Sequence, residues 1–72
     1  ANINDEVYVS YNFGKPTNLN IHVFTVDGKL ISKKEVNNIS NYQFDTKFTN
    51  SGDYIIVSTY NGEIATNRII VK

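Results

Sequence analysis

The sequence predicts an all-β fold, a small antiparallel β-sandwich of six to seven strands that occupies residues 1–72 as a single domain. Three observations support this class. Apolar and polar residues alternate at a period of two in several short segments, which is typical of half-buried strands. Turn-forming residues separate these segments at intervals of roughly 8–12 residues. No segment shows the periodicity of a helix.

The first two strands are predicted on either side of a turn. Val7 to Phe13 alternates between apolar and polar side chains, and Leu19 to Phe24 does the same. Gly14 to Asn18 is rich in turn residues, and Pro16 would interrupt any ladder that passed through it. A short extended segment at Asn2 to Asn4 would add a seventh strand.

Asp27-Gly28 predicts a hairpin into a return strand at Lys29 to Val36, because glycine accepts the positive φ of a tight turn. A two-residue turn would pair Phe24 with Ile31, whereas a bulged three-residue turn would pair Val23 with Ile31. The bulged turn places the more apolar residues on one face, so we favour it.

The three remaining strands are predicted at Tyr42 to Thr46, Asp53 to Tyr60 and Glu63 to Val71. A polar connection at Asn37 to Asn41 precedes the first of them, and an irregular segment at Lys47 to Gly52 follows it. Asn61-Gly62 predicts a two-residue hairpin turn between the last two strands.

Composition excludes several classes of function. Seven Lys and Arg residues balance seven Asp and Glu residues, so no net charge would attract nucleic acid or an anionic membrane. The chain has no Cys and one His, which excludes a disulfide framework and a Cys-based zinc site. No stretch approaches the ~20 apolar residues of a membrane-spanning helix. We therefore expect no cofactor, no metal, no nucleic-acid partner and no membrane insertion.

No group of residues has the pattern of a catalytic site, so we expect no enzyme activity. His22 is the only imidazole, and catalysis would need a nucleophile or carboxylate beside it. Its position fits the outer face of a strand. Asp5-Glu6 lacks the spacing of a calcium loop. Lys29, Lys33 and Lys34 are most simply explained as protection of an edge strand.

Three tyrosines, Tyr8, Tyr42 and Tyr60, are the candidate residues for an alternative function. Alternation assigns four other aromatic residues to the core: Tyr11, Phe13, Phe44 and Tyr54. Exposed tyrosines can stack on sugar rings, so the alternative is an accessory module of a secreted hydrolase, either a carbohydrate binder or a spacer. Packing at the rim of the core is the simpler interpretation of the three rings.

Three sequence elements occur in a fixed order from Leu19 onward. The first is Leu19-Asn20-Ile21-His22-Val23-Phe24 with Val26-Asp27-Gly28-Lys29-Leu30-Ile31. The second is Ser51-Gly52-Asp53-Tyr54-Ile55-Ile56-Val57. The third is Asn61-Gly62-Glu63 followed by Thr66-Asn67-Arg68-Ile69-Ile70-Val71-Lys72. Together they resemble the carboxy-terminal sorting domain of the type IX secretion system of Bacteroidota.

The chain departs from that family at its beginning. Family members commonly enter the domain with a Tyr-Pro-Asn-Pro-like run, whereas this chain has Tyr11-Asn12-Phe13-Gly14-Lys15-Pro16-Thr17. Its start, Val7 to Phe13, is instead similar to that of related Ig-like accessory domains. An encoded chain that continued beyond Lys72 would fit the accessory module.

The resemblance implies an Ig-like β-sandwich at the carboxy terminus of a larger exported protein, with a cargo domain on its amino-terminal side. It implies transit through the periplasm, recognition by a translocon, and removal by a sortase-like enzyme that leaves the cargo on the outer-membrane surface or extracellular. The matching positions imply that the recognition residues are Gly52, Tyr54, Arg68, Ile69, Ile70, Val71 and Lys72.

Overall fold

The computed structural model describes residues 2–72, and that range contains four β-strands and no helix. The strands are β1 (Glu6–Thr25), β2 (Leu30–Lys47), β3 (Gly52–Tyr60) and β4 (Glu63–Val71). They form one antiparallel sheet in the order β2-β1-β3-β4, so β2 and β4 are its edges. The all-β class is confirmed, but four strands replace the six to seven expected. Ala1, the first residue of the predicted domain, lies outside the described residues.

Two long strands account for the lower count. β1 runs through the segment 14–18, where the sequence predicts a turn, and β2 runs through 37–41, where it predicts a connection. The ladder between them is interrupted at this level, because four residues of β1, 13–16, face only Ser40 of β2. The backbone therefore bends where separate strands were expected, and two predicted pairs of strands merge.

The bend has identifiable local causes. Gly14 has a φ of 74° and Asn38 a φ of 56°, and both residue types tolerate this left-handed region. Pro16 lies in the interrupted part of the ladder, where its missing N–H costs no hydrogen bond. The Asn18 side-chain oxygen accepts a hydrogen bond from the Asn38 N–H at 3.0 Å, which ties the two strands together at the bend.

The bend folds the outer half of the β1–β2 hairpin over the rest of the sheet. The Tyr11 and Ser58 hydroxyls share a hydrogen bond, although Ser58 pairs with Ile21, ten positions after Tyr11 on β1. Ten residues of straight strand would separate these groups by about 33 Å. The Phe13 and Tyr60 rings make a second contact, 4.8 Å between centroids. One hydrogen-bonded sheet thus supplies two layers that pack face to face.

The core lies between these layers. Its buried apolar residues are Leu19, Ile21, Val23, Phe44, Phe48, Tyr54, Ile56 and Val71. The alternation predicted from Leu19 to Phe24 agrees with the structure, because the side chains of Leu19, Ile21 and Val23 are fully buried. Phe48 is a core residue that alternation does not identify, since it lies outside any strand and is 4% exposed.

The amino-terminal segment forms a turn rather than a seventh strand. The Asp5 N–H donates to the Asn2 carbonyl oxygen at 3.1 Å, and Asn4 has a φ of 67°. The Asn4 N–H donates to the Phe48 carbonyl oxygen at 2.9 Å. This contact fastens the segment to the connection between β2 and β3.

The hairpin between β1 and β2 has the bulged three-residue turn that we favour from the sequence. The Gly28 N–H donates to the Thr25 carbonyl oxygen at 2.9 Å, and Gly28 has a φ of 95°. A second bulge follows at Ile31, which therefore pairs with neither Phe24 nor Val23. Both predicted pairings of Ile31 are wrong, because Ile31 is the extra residue of this bulge and has no partner on β1. The bulge turns the Ile31 side chain to solvent.

Candidate recognition surface at the end of the sheet

β4 is an edge strand that pairs with β3 along its whole length. The register is continuous from Gly52–Val71 to Tyr60–Glu63, with no bulge. Asn61 and the following glycine have φ values of 51° and 74°, the positive values that a two-residue type I′ turn requires. The predicted turn is therefore confirmed. Among the described strands only β3 borders β4, so the other side of β4 faces away from the sheet.

The structure brings the predicted recognition residues together. Gly52 pairs with Val71, and Tyr54 pairs with Ile69. Arg68, Ile70 and Lys72 lie between or directly after these positions on β4. All seven residues therefore lie at one end of the β3–β4 hairpin, which we call the hairpin base.

Only part of the hairpin base can contact a partner while the domain is folded. Tyr54 and Val71 are buried, with exposures of 7% and 3%. Ile69 is half-buried and packs against the core. These three side chains hold the base in place. The exposed members are Gly52, Arg68, Ile70 and Lys72.

Tyr54 is the main anchor of the hairpin base. Its hydroxyl donates to the Asn50 carbonyl oxygen at 2.8 Å, and its ring stacks on Phe48 with centroids 4.1 Å apart. Gly52 precedes it with a φ of 144°, a conformation that L side chains rarely adopt. A Cβ at Gly52 would lie 4.0 Å from the Tyr54 ring. Backbone conformation rather than space therefore requires glycine here.

Arg68 crosses from β4 to β3 on the outer face of the sheet. Its guanidinium donates to the Asp53 carboxylate and forms an ion pair with it. The Arg68 side chain is 62% exposed and that of Asp53 is 31% exposed, so the pair contributes at most about 1 kcal/mol. Sequence reasoning missed Asp53. The two-residue turn could have identified it, because that turn fixes the register that places Asp53 diagonally beside Arg68.

The three tyrosines of the alternative function do not share a face. Tyr8 is 55% exposed on the outer side of β1. Its hydroxyl donates to the Glu6 carboxylate, which raises the pKa of Tyr8. Tyr42 and Tyr60 are half-buried and pack against the core from the inner side. The rings therefore form no common stacking platform.

The other polar candidates are also dispersed. His22 lies half-buried on the outer face of β1, where its ring stacks on Phe24 with centroids 6.1 Å apart. Its cross-strand neighbours are Lys33 and Val57. Residues 2–72 contain no group of three acidic or imidazole side chains placed to hold a metal ion. The same range has no helix with the length and apolar character needed to cross a membrane.

These features define the class of protein. It is a small all-β domain, and its candidate recognition residues cluster at the end of an edge strand. The model of the Secretion system C-terminal sorting domain family matches residues 3–72. The chain belongs to this family, whose domains are sorting signals for type IX secretion. Searches of the curated proteins and of the solved structures gave no match.

Family membership confirms the resemblance that the sequence elements indicate. It implies that the domain belongs to a secreted protein, with a cargo on its amino-terminal side, and that it interacts with the secretion machinery. Sorting domains of this family are in general non-catalytic.

Proposed function

We propose that the exposed hairpin base is the surface by which the type IX translocon recognises this domain. One observation carries the proposal: the end of β4, an edge strand of the sheet, has two exposed cations, Arg68 and Lys72. A partner can add hydrogen bonds along a strand edge and read the side chains beside it. The buried side chains of Tyr54 and Val71 keep this end ordered before the partner arrives, which lowers the entropy cost of binding.

In this proposal the domain supplies binding and leaves the chemistry to its partners. The translocon carries the cargo from the periplasm across the outer membrane while it holds the hairpin base. A sortase-like enzyme then removes the domain and attaches the cargo to the cell surface.

The test is export of a reporter enzyme fused to the amino-terminal side of the 72-residue chain, in a bacterium with a type IX system. Exported reporter should be lighter than the fusion by the 8.2 kDa of the domain, because the sortase-like enzyme removes it. The double variant Arg68→Gln/Lys72→Gln should lower the exported fraction by about tenfold, since each lost charge contact contributes up to about 1 kcal/mol.

The matched control is Lys33→Gln/Lys34→Gln, which removes the same charge from exposed positions on β2. It should leave export unchanged. A second variant that lacks residues 68–72 should not be exported at all. Undiminished export of that truncated fusion would contradict the proposal, and so would equal losses in the two double variants.

A further inference from the structure

Lys29 lies apart from Lys33 and Lys34, although the three are close in sequence. Lys33 and Lys34 are exposed on β2, at the edge of the sheet, where lysines prevent pairing with other strands. Lys29 lies in the turn before β2 and lines a cleft of about 310 Å³. Protection of the edge therefore accounts for the two lysines on the strand, and Lys29 has different surroundings.

The cleft lies between the two layers, at the end of the domain that carries the hairpin base. Thr25 belongs to the layer that pairs with β3, and Lys47 belongs to the layer that pairs with Glu6. A volume of about 310 Å³ is at the lower limit of ligand-binding pockets, so the cleft accommodates one or two amino-acid side chains. Its lining residues are Thr25, Lys29, Ile31, Lys47, Phe48, Thr49, Asn50 and Tyr54.

The lining contains two cations and no anion. The Lys47 ammonium lies 3.9 Å from the Glu6 carboxylate, and the two side chains are 57% and 47% exposed, so this ion pair is weak. The hydrogen bond from the Thr25 hydroxyl is the main cause of the lowered pKa of Asp27, and Lys29 contributes least to it. Both ammonium groups can therefore attract a carboxylate that enters the cleft.

The rest of the lining suits a peptide. The rings of Phe48 and Tyr54 stack with centroids 4.1 Å apart, and the neighbouring Ile31 is 45% exposed. These residues offer apolar surface to an aliphatic side chain. Thr49 and Asn50 are exposed, and their hydroxyl and amide groups can form hydrogen bonds with a peptide backbone. An apolar pocket with a few polar groups selects ligands that combine both characters.

We propose that the cleft binds an acidic peptide segment in which an aspartate or glutamate lies beside an aliphatic residue. The carboxylate is held by the Lys29 and Lys47 ammonium groups through charge-assisted hydrogen bonds. The aliphatic side chain packs on Ile31 and on the rings of Phe48 and Tyr54.

This proposal goes beyond the role in export and does not depend on it. Of the residues that line the cleft, only Tyr54 also belongs to the hairpin base, and its side chain is 7% exposed. The exposed cations of the hairpin base, Arg68 and Lys72, do not line the cleft. Loss of export in the variant of those two residues and loss of peptide binding are therefore separate outcomes.

Titration of the isotope-labelled 72-residue chain with two peptides, followed by NMR, tests the binding. The probe is acetyl-Leu-Asp-Leu-amide, and the control is acetyl-Leu-Asn-Leu-amide, which has the same shape without the charge. The acidic peptide should shift the amide resonances of Lys29, Ile31, Thr49 and Asn50 with a dissociation constant of about 1 mM, because a small cleft binds weakly. The neutral peptide should bind about tenfold more weakly, since it loses both charge contacts.

Two pairs of variants locate the site. Lys29→Gln should weaken binding of the acidic peptide about fivefold, whereas Lys33→Gln, outside the cleft, should leave it unchanged. Ile31→Asp places a negative charge in the lining and should abolish detectable binding. Its control is Ile64→Asp, at a 71% exposed position on β4, and circular dichroism should show all four variants folded. Equal affinity for the two peptides, an absence of shifts at the lining residues, or equal losses in the two lysine variants would overturn the proposal.

Discussion

Ser58 carries a hydroxyl into the core, where the side chain has no solvent exposure. The Tyr11 hydroxyl is its hydrogen-bond partner, and no buried side-chain polar atom within residues 2–72 is left without one. A buried hydroxyl without a partner costs about 1–3 kcal/mol. At the scale of single residues, the contact between the two layers is therefore polar and specific as well as apolar.

Tyr11 should make the domain sensitive to alkali. Burial raises the pKa of Tyr11 above its ordinary value of 10.0, although the hydrogen bond with Ser58 lowers it. The neutral phenol is favoured in the folded state. Its contribution to stability is therefore fully present below pH 10 and is lost as the pH rises through the folded-state pKa.

We expect the free energy of unfolding, measured in urea between pH 7 and pH 11.5, to fall above pH 10. Tyr11→Phe should remove part of that fall. Ser58→Ala removes the interaction that lowers the pKa, so the fall should still begin near pH 10 but extend to higher pH and become larger. An unchanged pH dependence in Tyr11→Phe would show that other groups cause the loss.

The first residue of β3 determines how the last strand is held. Gly52 has a φ of 144° and pairs with Val71 near the end of β4. Holding a side chain in such a conformation costs about 1–3 kcal/mol. The strain would fall at the end of the β3–β4 ladder, next to the exposed residues of the hairpin base.

Gly52→Ala should therefore destabilise the domain by about 1–3 kcal/mol in urea unfolding. Amide hydrogen exchange should accelerate first at the carboxy-terminal end of β4. Ser51→Ala, at the exposed position just before it, is the control and should change stability by less than about 0.5 kcal/mol. Equal effects of the two substitutions would show that the backbone conformation at Gly52 is unimportant.

The sequence predicts the last two strands well, because their determinants are local. Asn61-Gly62 fixes a two-residue turn, and alternation fixes the inward face of β3, so the register of this hairpin follows. The merging of the first four predicted strands could not be read in this way. Gly14 to Asn18 is typical of both a turn and a bend, and only contact with the distant β3 layer distinguishes them.

In the candidate site, too, some properties follow from the local sequence and others depend on distant parts of the chain. The grouping of Gly52 and Tyr54 with the end of β4 follows from the hairpin register. Alternation assigns Tyr54 to the core, and it is buried. The burial of Val71 depends on the opposite layer, and the position of β4 at the edge depends on strand order. Neither of these two properties is encoded locally, so on β4 the sequence does not distinguish anchoring residues from exposed ones.

At the scale of the whole molecule, Phe48 connects the two layers at the connection between β2 and β3. It follows β2, stacks on Tyr54 of β3, and its carbonyl oxygen accepts a hydrogen bond from the Asn4 N–H. Three separate parts of the chain therefore meet at this one residue. A chain of 72 residues has a total stability of only about 4–10 kcal/mol.

Phe48→Ala should cost about 3–5 kcal/mol, the usual loss for a buried phenylalanine. The midpoint of urea unfolding should fall steeply, because this loss is a large part of the total stability. Phe24→Ala changes a half-buried ring on the outer face and should cost about 1 kcal/mol. Similar losses for the two variants would mean that the contact of Phe48 between the layers adds little.

The strand order has a mechanical consequence. Among the described strands, β4 has β3 as its one neighbour, and its pairing with β3 ends at Gly52–Val71, next to Lys72. A pulling force applied at Lys72 loads this last pair first, and the next pair bears load only after it has broken. The hairpin would unzip pair by pair under low tension while β1 stays bonded on both sides. A machine that grips this end could peel the last strand away and leave the centre of the sheet intact.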